Sequence, residues 1–290
     1  MSHKFQFYKV QYFVQCAFAF LLFSTFFFTQ TAAGAATLEE QVNVRGEWRQ
    51  GGLIIGFAPA GSQILLNQQS IKQAPTGQFV LGLDRDAAPK QTLTIRHQHQ
   101  EYIKSFEVLQ YDWPVQRIEG ISKKIMNPDP DDVARARQEA QLVKKARQEY
   151  HSRLDFLMGF QWPLIGRISG VFGSQRVYNG VPGRPHYGVD IAAPKGTPVK
   201  APAPGVVTLV HNNMFYSGGT LILDHGMGVS STFIHLSEIH VTPGQEIRAG
   251  EVIAAVGSTG RSTGPHLDWR VNWFKKRLDP SLLVGPMPQQ

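Results

Sequence analysis

The chain has 290 residues, with 29 Lys and Arg against 22 Asp and Glu, a formal net charge of +7 and one cysteine. One cysteine excludes an internal disulfide framework, and the absence of an Arg/Lys cluster interleaved with aromatics argues against a nucleic-acid partner. The length accommodates one large or two modest domains, each able to bury a core.

Residues 1–36 read as a signal peptide. Lys4 and Lys9 form a positive start, Phe13 to Phe28 is a Phe-rich apolar run, and Ala33-Gly34-Ala35-Ala36 supplies small residues for cleavage. The run is just long enough to span a bilayer, so an uncleaved N-terminal anchor is the alternative. Cys16 lies inside the run rather than ahead of a mature start, which argues against a lipid-modified N-terminus. The expected location is exported, in the periplasm or cell envelope, with membrane contact only if this segment is retained. Without it the chain keeps 27 basic and 22 acidic residues, a mildly basic balance.

Residues 37–125 predict a small β-sandwich-like accessory domain. Val42–Trp48, Leu53–Phe57, Gln63–Leu66, Gln78–Leu83, Thr92–His97 and Tyr102–Leu109 alternate or cluster apolar residues between turn signals such as Gln50-Gly51-Gly52 and Pro59-Ala60-Gly61. His97 and His99 alternate like metal ligands but have no third partner nearby, so they read as a solvated strand edge. Residues 126–154 differ in kind. Asn127-Pro128-Asp129-Pro130-Asp131-Asp132 is a helix-start signature, and Val133 to Tyr150 runs without Gly or Pro. Its narrow stripe of Val133, Ala136, Ala140, Val143 and Tyr150 predicts a helical linker packed lightly on a neighbour.

From residue 155 to 290 the pattern returns to β. Thr197–Lys200, Gly205–Val210, Gly219–Leu223, Val229–His235, Glu251–Val256 and Leu267–Asn272 predict short strands, with hairpin corners at Pro243-Gly244 and Ala249-Gly250. The whole chain is expected to be mainly β. Three fragments of this region carry chemistry. His186 and Asp190 are separated by Tyr-Gly-Val, a loop entering a strand, and can aim two ligand atoms at one point. His266 and Asp268 are two apart, so on a strand both side chains share a face. His235 ends a third strand-like run. Five groups suited to metal binding and proton transfer therefore fall in one Gly-rich β region.

These fragments resemble the lysostaphin/LytM-type zinc metallopeptidase family. The resemblance rests on His186-x-x-x-Asp190, His235-Leu-Ser and Gly-Pro-His266-Leu-x, with Val171-Phe172-Gly173, Gly205-Val206-Val207, Asp224-His225-Gly226 and Val256-Gly257-Ser258-Thr259-Gly260 around them, over roughly residues 160–285. It implies an antiparallel β metallopeptidase domain with an open groove. It also implies Zn2+ as cofactor, His186 and Asp190 as metal ligands, and His235 and His266 as the catalytic non-ligand histidines. The third ligand falls on Asp268, where the family has histidine. Aspartate oxygen and histidine Nδ1 both lie two bonds beyond Cβ, so the carboxylate can replace the imidazole, at the expense of a less positive centre.

The resemblance implies a zinc endopeptidase acting on peptide bonds of peptidoglycan stems or cross-links, a substrate that suits the basic chain. The alternative is a non-catalytic module that activates a separate cell-wall amidase, with an amidase or another division or envelope protein as partner. Among the remaining candidates, His225 reads as structural, Phe215-Tyr216 as a groove wall, Arg176 and Asn179 as a cap on the cleft, and Arg261-Ser262-Thr263 as a loop orienting His266.

Overall fold

In the N-terminal region, apolar alternation builds two facing sheets. Asn43–Arg45 pairs antiparallel with Leu53–Phe57, which pairs with Gln78–Gly82. The second sheet runs Gln69–Ile71, Gln63–Leu66, Lys90–His97, Gln100–Glu107. Ile54, Ile64, Phe79, Leu81, Leu93 and Ile95 fill the space between them. Gly56 is required here, because the Phe79 ring occupies the place a Cβ would take. His97 touches Ser62 Oγ at 3.3 Å at the end of its strand, and His99 lies in the following turn. Neither belongs to a cluster of metal-ligating side chains among the described residues.

The structure, a computed structural model, describes residues 36–120, 129–148 and 150–288. The expected signal peptide lies outside the described residues apart from Ala36. Among the described residues no helix is long and apolar enough to cross a membrane.

The connector forms a helix at Pro130–Gln148, with Asp131 and Asp132 in its first turn and Lys145 and Arg147 in its last. Both sets complement the helix dipole. Asp129 Oδ1 accepts the Asp131 N–H at 2.9 Å, satisfying one of the orphan donors at the helix start. Only Ala146 is buried, as the narrow apolar stripe suggests. Side chains tie the helix down instead. Arg135 donates to the Asn213 carbonyl, Glu139 accepts the Phe215 N–H at 2.8 Å, and Arg147 donates to Thr232 Oγ1 at 2.7 Å.

The C-terminal region is organised by one large sheet, in the order Glu246–Ile247, Gly205–Met214, Gly218–Gly226, Val229–Leu236, His266–Trp273, Val189–Ala192, Arg167–Gly170, with Lys276–Leu278 also on His266–Trp273. Every residue of Gly218–Gly226 and Val229–Leu236 is buried. A smaller sheet of Pro198–Lys200, Val252–Ala255 and Glu238–Ile239 closes the core.

The two β regions share that core. Leu53, Ala74 and Val80 from the N-terminal region cluster with Val271, Trp273 and Leu278. Gly82 allows this approach, since a Cβ would run into Trp273 and Leu278. Val115–Ile118 also pairs parallel with Gln175–Tyr178, which stitches the chain together at a second place. Residues 36–290 therefore cluster as one unit.

Candidate metal centre

Two neighbouring strands set the site. Val189–Ala192 runs antiparallel to His266–Trp273 with Asp190 opposite Asp268, so the two carboxylates emerge on the same face. His186 comes from the loop before the first strand. That loop is held by backbone bonds from the His186 N–H to the Ser174 carbonyl at 2.7 Å and from the Gly173 N–H to the His186 carbonyl at 2.8 Å. His186 Nε2 stands 3.2 Å from Asp190 Oδ1. Gly170 leaves room for Asp190, whose carboxylate lies where a Cβ would project.

His186, Asp190 and Asp268 each offer a ligand atom within 4.8 Å of the others. Ligands about 2.0–2.2 Å from a tetrahedral ion stand roughly 3.3 Å apart, close to the His186–Asp190 separation. The two atoms that meet this spacing, His186 Nε2 and Asp190 Oδ1, are both buried without a hydrogen-bond partner. Buried polar atoms left without a hydrogen bond are costly, and a cation joining the two would remove that cost. The donor chemistry, one imidazole and two carboxylates, suits zinc, so the residues present fit the metal.

His235 and His266 flank this cluster, their rings 4.9 Å apart. His235 takes a left-handed backbone, φ 65°, at the end of its strand. This conformation is uncommon for a residue with a side chain and is often found at functional sites. Its N–H donates to the Ser217 carbonyl, and its ring Nδ1 meets the Thr259 carbonyl at 2.8 Å. A carbonyl only accepts, so Nδ1 carries the proton and Nε2 is left as a bare acceptor. His266 is fixed the same way, with Nδ1 2.8 Å from the Gly264 carbonyl and Nε2 3.9 Å from Asp190 Oδ1. Ser262 Oγ stands 3.3 Å from the same His266 nitrogen, as expected of a loop that orients it. Burial, only partly offset by the Thr259 bond, lowers the His235 pKa, so its ring is neutral at pH 7.

Asp268 is 2 % exposed. Burial raises its pKa, but the Arg270 charge and hydrogen bonds, with His186 and His235, outweigh that and hold it below the ordinary carboxylate value. Arg270 is the site residue that the sequence reading missed. The available signal was Asp268-x-Arg270, two opposite charges two apart on one strand face.

The other candidates separate clearly. His225 is fully buried, with Nδ1 2.6 Å from the Pro204 carbonyl and Nε2 2.8 Å from Ser231 Oγ, a structural histidine. Arg176 lines a cleft of about 760 Å³ together with Tyr178, Arg184, His186, Asp190 and Arg270. Asn179 has a positive φ at a turn and is absent from that lining. Phe215 and Tyr216 stack edge-on, and Tyr216 borders a second cavity of about 650 Å³ beneath the connector helix.

The sequence profile of peptidase family M23 matches residues 184–280. These residues form a peptidase family M23 domain. The chain is 41% identical over 128 residues to the DD-carboxypeptidase/endopeptidase Mpg of Neisseria meningitidis, covering 44% of this chain and 29% of that protein. It is 40% identical over 107 residues to the peptidoglycan DD-endopeptidase ShyA of Vibrio cholerae, covering 36% of this chain and 24% of that protein. The matches thus span less than a third of the length of these relatives. A crystal structure assigned to peptidase M23 from Pseudomonas aeruginosa superposes over 82% of this chain and 96% of its own, with 28% identity and a TM-score of 0.62. That likeness extends through the N-terminal β region as well as the M23 domain.

Proposed function

We propose that this M23 protein is a zinc endopeptidase that hydrolyses peptide bonds in peptidoglycan stems or cross-links. The observation that carries the reading is the buried pair of His186 Nε2 and Asp190 Oδ1, 3.2 Å apart and without a hydrogen bond, beside two histidines whose Nδ1 atoms are held by backbone carbonyls. His186, Asp190 and Asp268 would hold the ion, which supplies Lewis-acid polarisation of the scissile carbonyl and of a water. His235 and His266 each keep Nδ1 bonded to a backbone carbonyl, so each presents Nε2 to the cleft in one fixed orientation. One accepts the proton of the attacking water. The other, once protonated, donates to the developing oxyanion or leaving amine. The relatives Mpg and ShyA, named as peptidoglycan-directed or DD-endopeptidases, support the substrate class and an extracytoplasmic place of action.

The second reading, a non-catalytic module that activates a cell-wall amidase, is favoured by one observation. Both oxygens of Asp268 are already engaged by Arg270. Incubating the purified chain with isolated peptidoglycan, with zinc and then with chelator, separates the two. Chelator-sensitive fragments cut at a peptide bond, identified by mass spectrometry, establish the enzyme and name the bond. Absence of fragments, together with stimulation of a purified amidase, establishes the activator.

A further inference from the structure

Asp268 enters the donor set with a partner. Arg270, two residues along the same strand and so on the same face, closes on it as a fork. Its Nε donates to Oδ1 at 2.9 Å and Oδ2 at 3.1 Å, and its Nη2 to Oδ2 at 2.5 Å. Gly188 makes this approach possible, because a Cβ there would overlap both Asp268 Oδ1 and Arg270 Cγ. A carboxylate has about four lone-pair positions, so the fork leaves a direction open toward a metal. Arginine suits this place because its charge is permanent and its planar fork fixes the carboxylate plane.

The charges decide what the pair does. Asp190 and Asp268 stand opposite each other, so alone they would put two negative charges on one buried patch. Arg270 removes one of them. A donor set with one net negative charge is what a single carboxylate and two neutral imidazoles would also present.

We propose that Arg270 sets the charge of the metal centre: Asp268 and Arg270 together act as one neutral third ligand. The inference rests on the zinc reading above. It has an unusual consequence, because replacing Asp268 by the neutral ligand histidine makes the site worse unless Arg270 is removed too. Asp268→His leaves a guanidinium facing the cation without a counterion. Arg270→Gln leaves an extra uncompensated carboxylate, which attracts the cation more strongly. The double variant is balanced again.

The test is zinc affinity, measured by competition with a chromophoric chelator on the parent chain and the three variants, with far-UV circular dichroism to verify folding. The expected pattern is loss of about tenfold or more for Asp268→His, a gain of at least about threefold for Arg270→Gln, and a return to within about threefold of the parent for the double variant. A structural role for Arg270 would weaken zinc binding in both Arg270 variants and cannot give opposite signs. The proposal is overturned if Asp268→His binds zinc as tightly as the parent, or if the double variant stays as weak as Asp268→His. Should Asp268→His fail to fold, Arg270→Gln decides alone, and unchanged or weaker binding overturns the proposal. A parent chain that binds no zinc removes the zinc reading itself, an outcome distinct from a parent that binds while the variants miss the pattern.

Discussion

Asp190 and Asp268 face each other directly across two antiparallel strands. Like charges in that position weaken a sheet, by up to about 1 kcal/mol for an ordinary pair. On the proposed reading, a fold that keeps them gains from the cation they would hold rather than from stability. Because Arg270 already neutralises Asp268, Asp190→Asn is expected to leave the metal-free chain about as stable as the parent and to abolish the rise in Tm on adding zinc. Thermal unfolding with chelator and with zinc checks both halves. A variant less stable without metal would show that Asp190 is retained for structure.

On the proposed reading His235 supplies chemistry without holding the ion, so its loss should separate activity from metal content. His235→Ala is expected to lower turnover of peptidoglycan fragments by about 10²–10⁴-fold while zinc content stays at one per chain. Elemental analysis of the purified variant beside a fragment-release assay makes the comparison. Loss of zinc together with activity would move His235 into the ligand set.

The connector helix reaches the face that carries the site. Thr232, which accepts from Arg147, pairs with Arg270 on the neighbouring strand, and Ile234 pairs with Asp268. The last turn of the helix therefore lies on the sheet face that also carries Asp268. Burial and the charges of Arg277 and Arg270 depress the Arg147 pKa. Loosening the helix with Glu139→Ala and Arg147→Ala is expected to raise the rate of fragment release several-fold, chiefly through KM. A slower double variant with an unchanged unfolding midpoint would show instead that the helix forms part of the substrate site.

The sequence made the local elements legible because the strands alternate or cluster apolar residues and the turns carry Gly or Pro. Leu53–Phe57 and Gln63–Leu66 coincide with the observed strands, and the connector helix departs by three residues at its start and two at its end. The grouping of His186 and Asp190 with His235 and His266 was legible because their spacing is local and their order is that of the family. What escaped was long-range. The shared core depends on Val80 reaching Trp273 and Leu278, contacts that no local periodicity encodes. The pairing of Val115–Ile118 with Gln175–Tyr178 joins segments some 60 residues apart, and its short strands carry only a weak pattern. Arg270 escaped because an arginine on a strand ordinarily reads as solvated, and only the fold shows it closing on Asp268.

His225 ties stability to pH. Its ring is fully buried, edge-on to Phe160, between the Pro204 carbonyl and Ser231, and burial lowers its pKa to about 4. In the unfolded chain it titrates near 6.5. Above that pH both states are neutral and the contribution is fully present. As the pH falls, the unfolded chain takes up a proton that the folded ring refuses, so stability declines until the folded ring protonates near 4. Between pH 7 and 4.5 this single group lowers stability by roughly 2–3 kcal/mol. His225→Gln removes the titration while keeping a donor for the Pro204 carbonyl. Urea unfolding at the two pH values should show the parent losing roughly 2–3 kcal/mol more than the variant. Equal losses would mean that His225 is protonated in the folded protein and that its neighbours accommodate the charge.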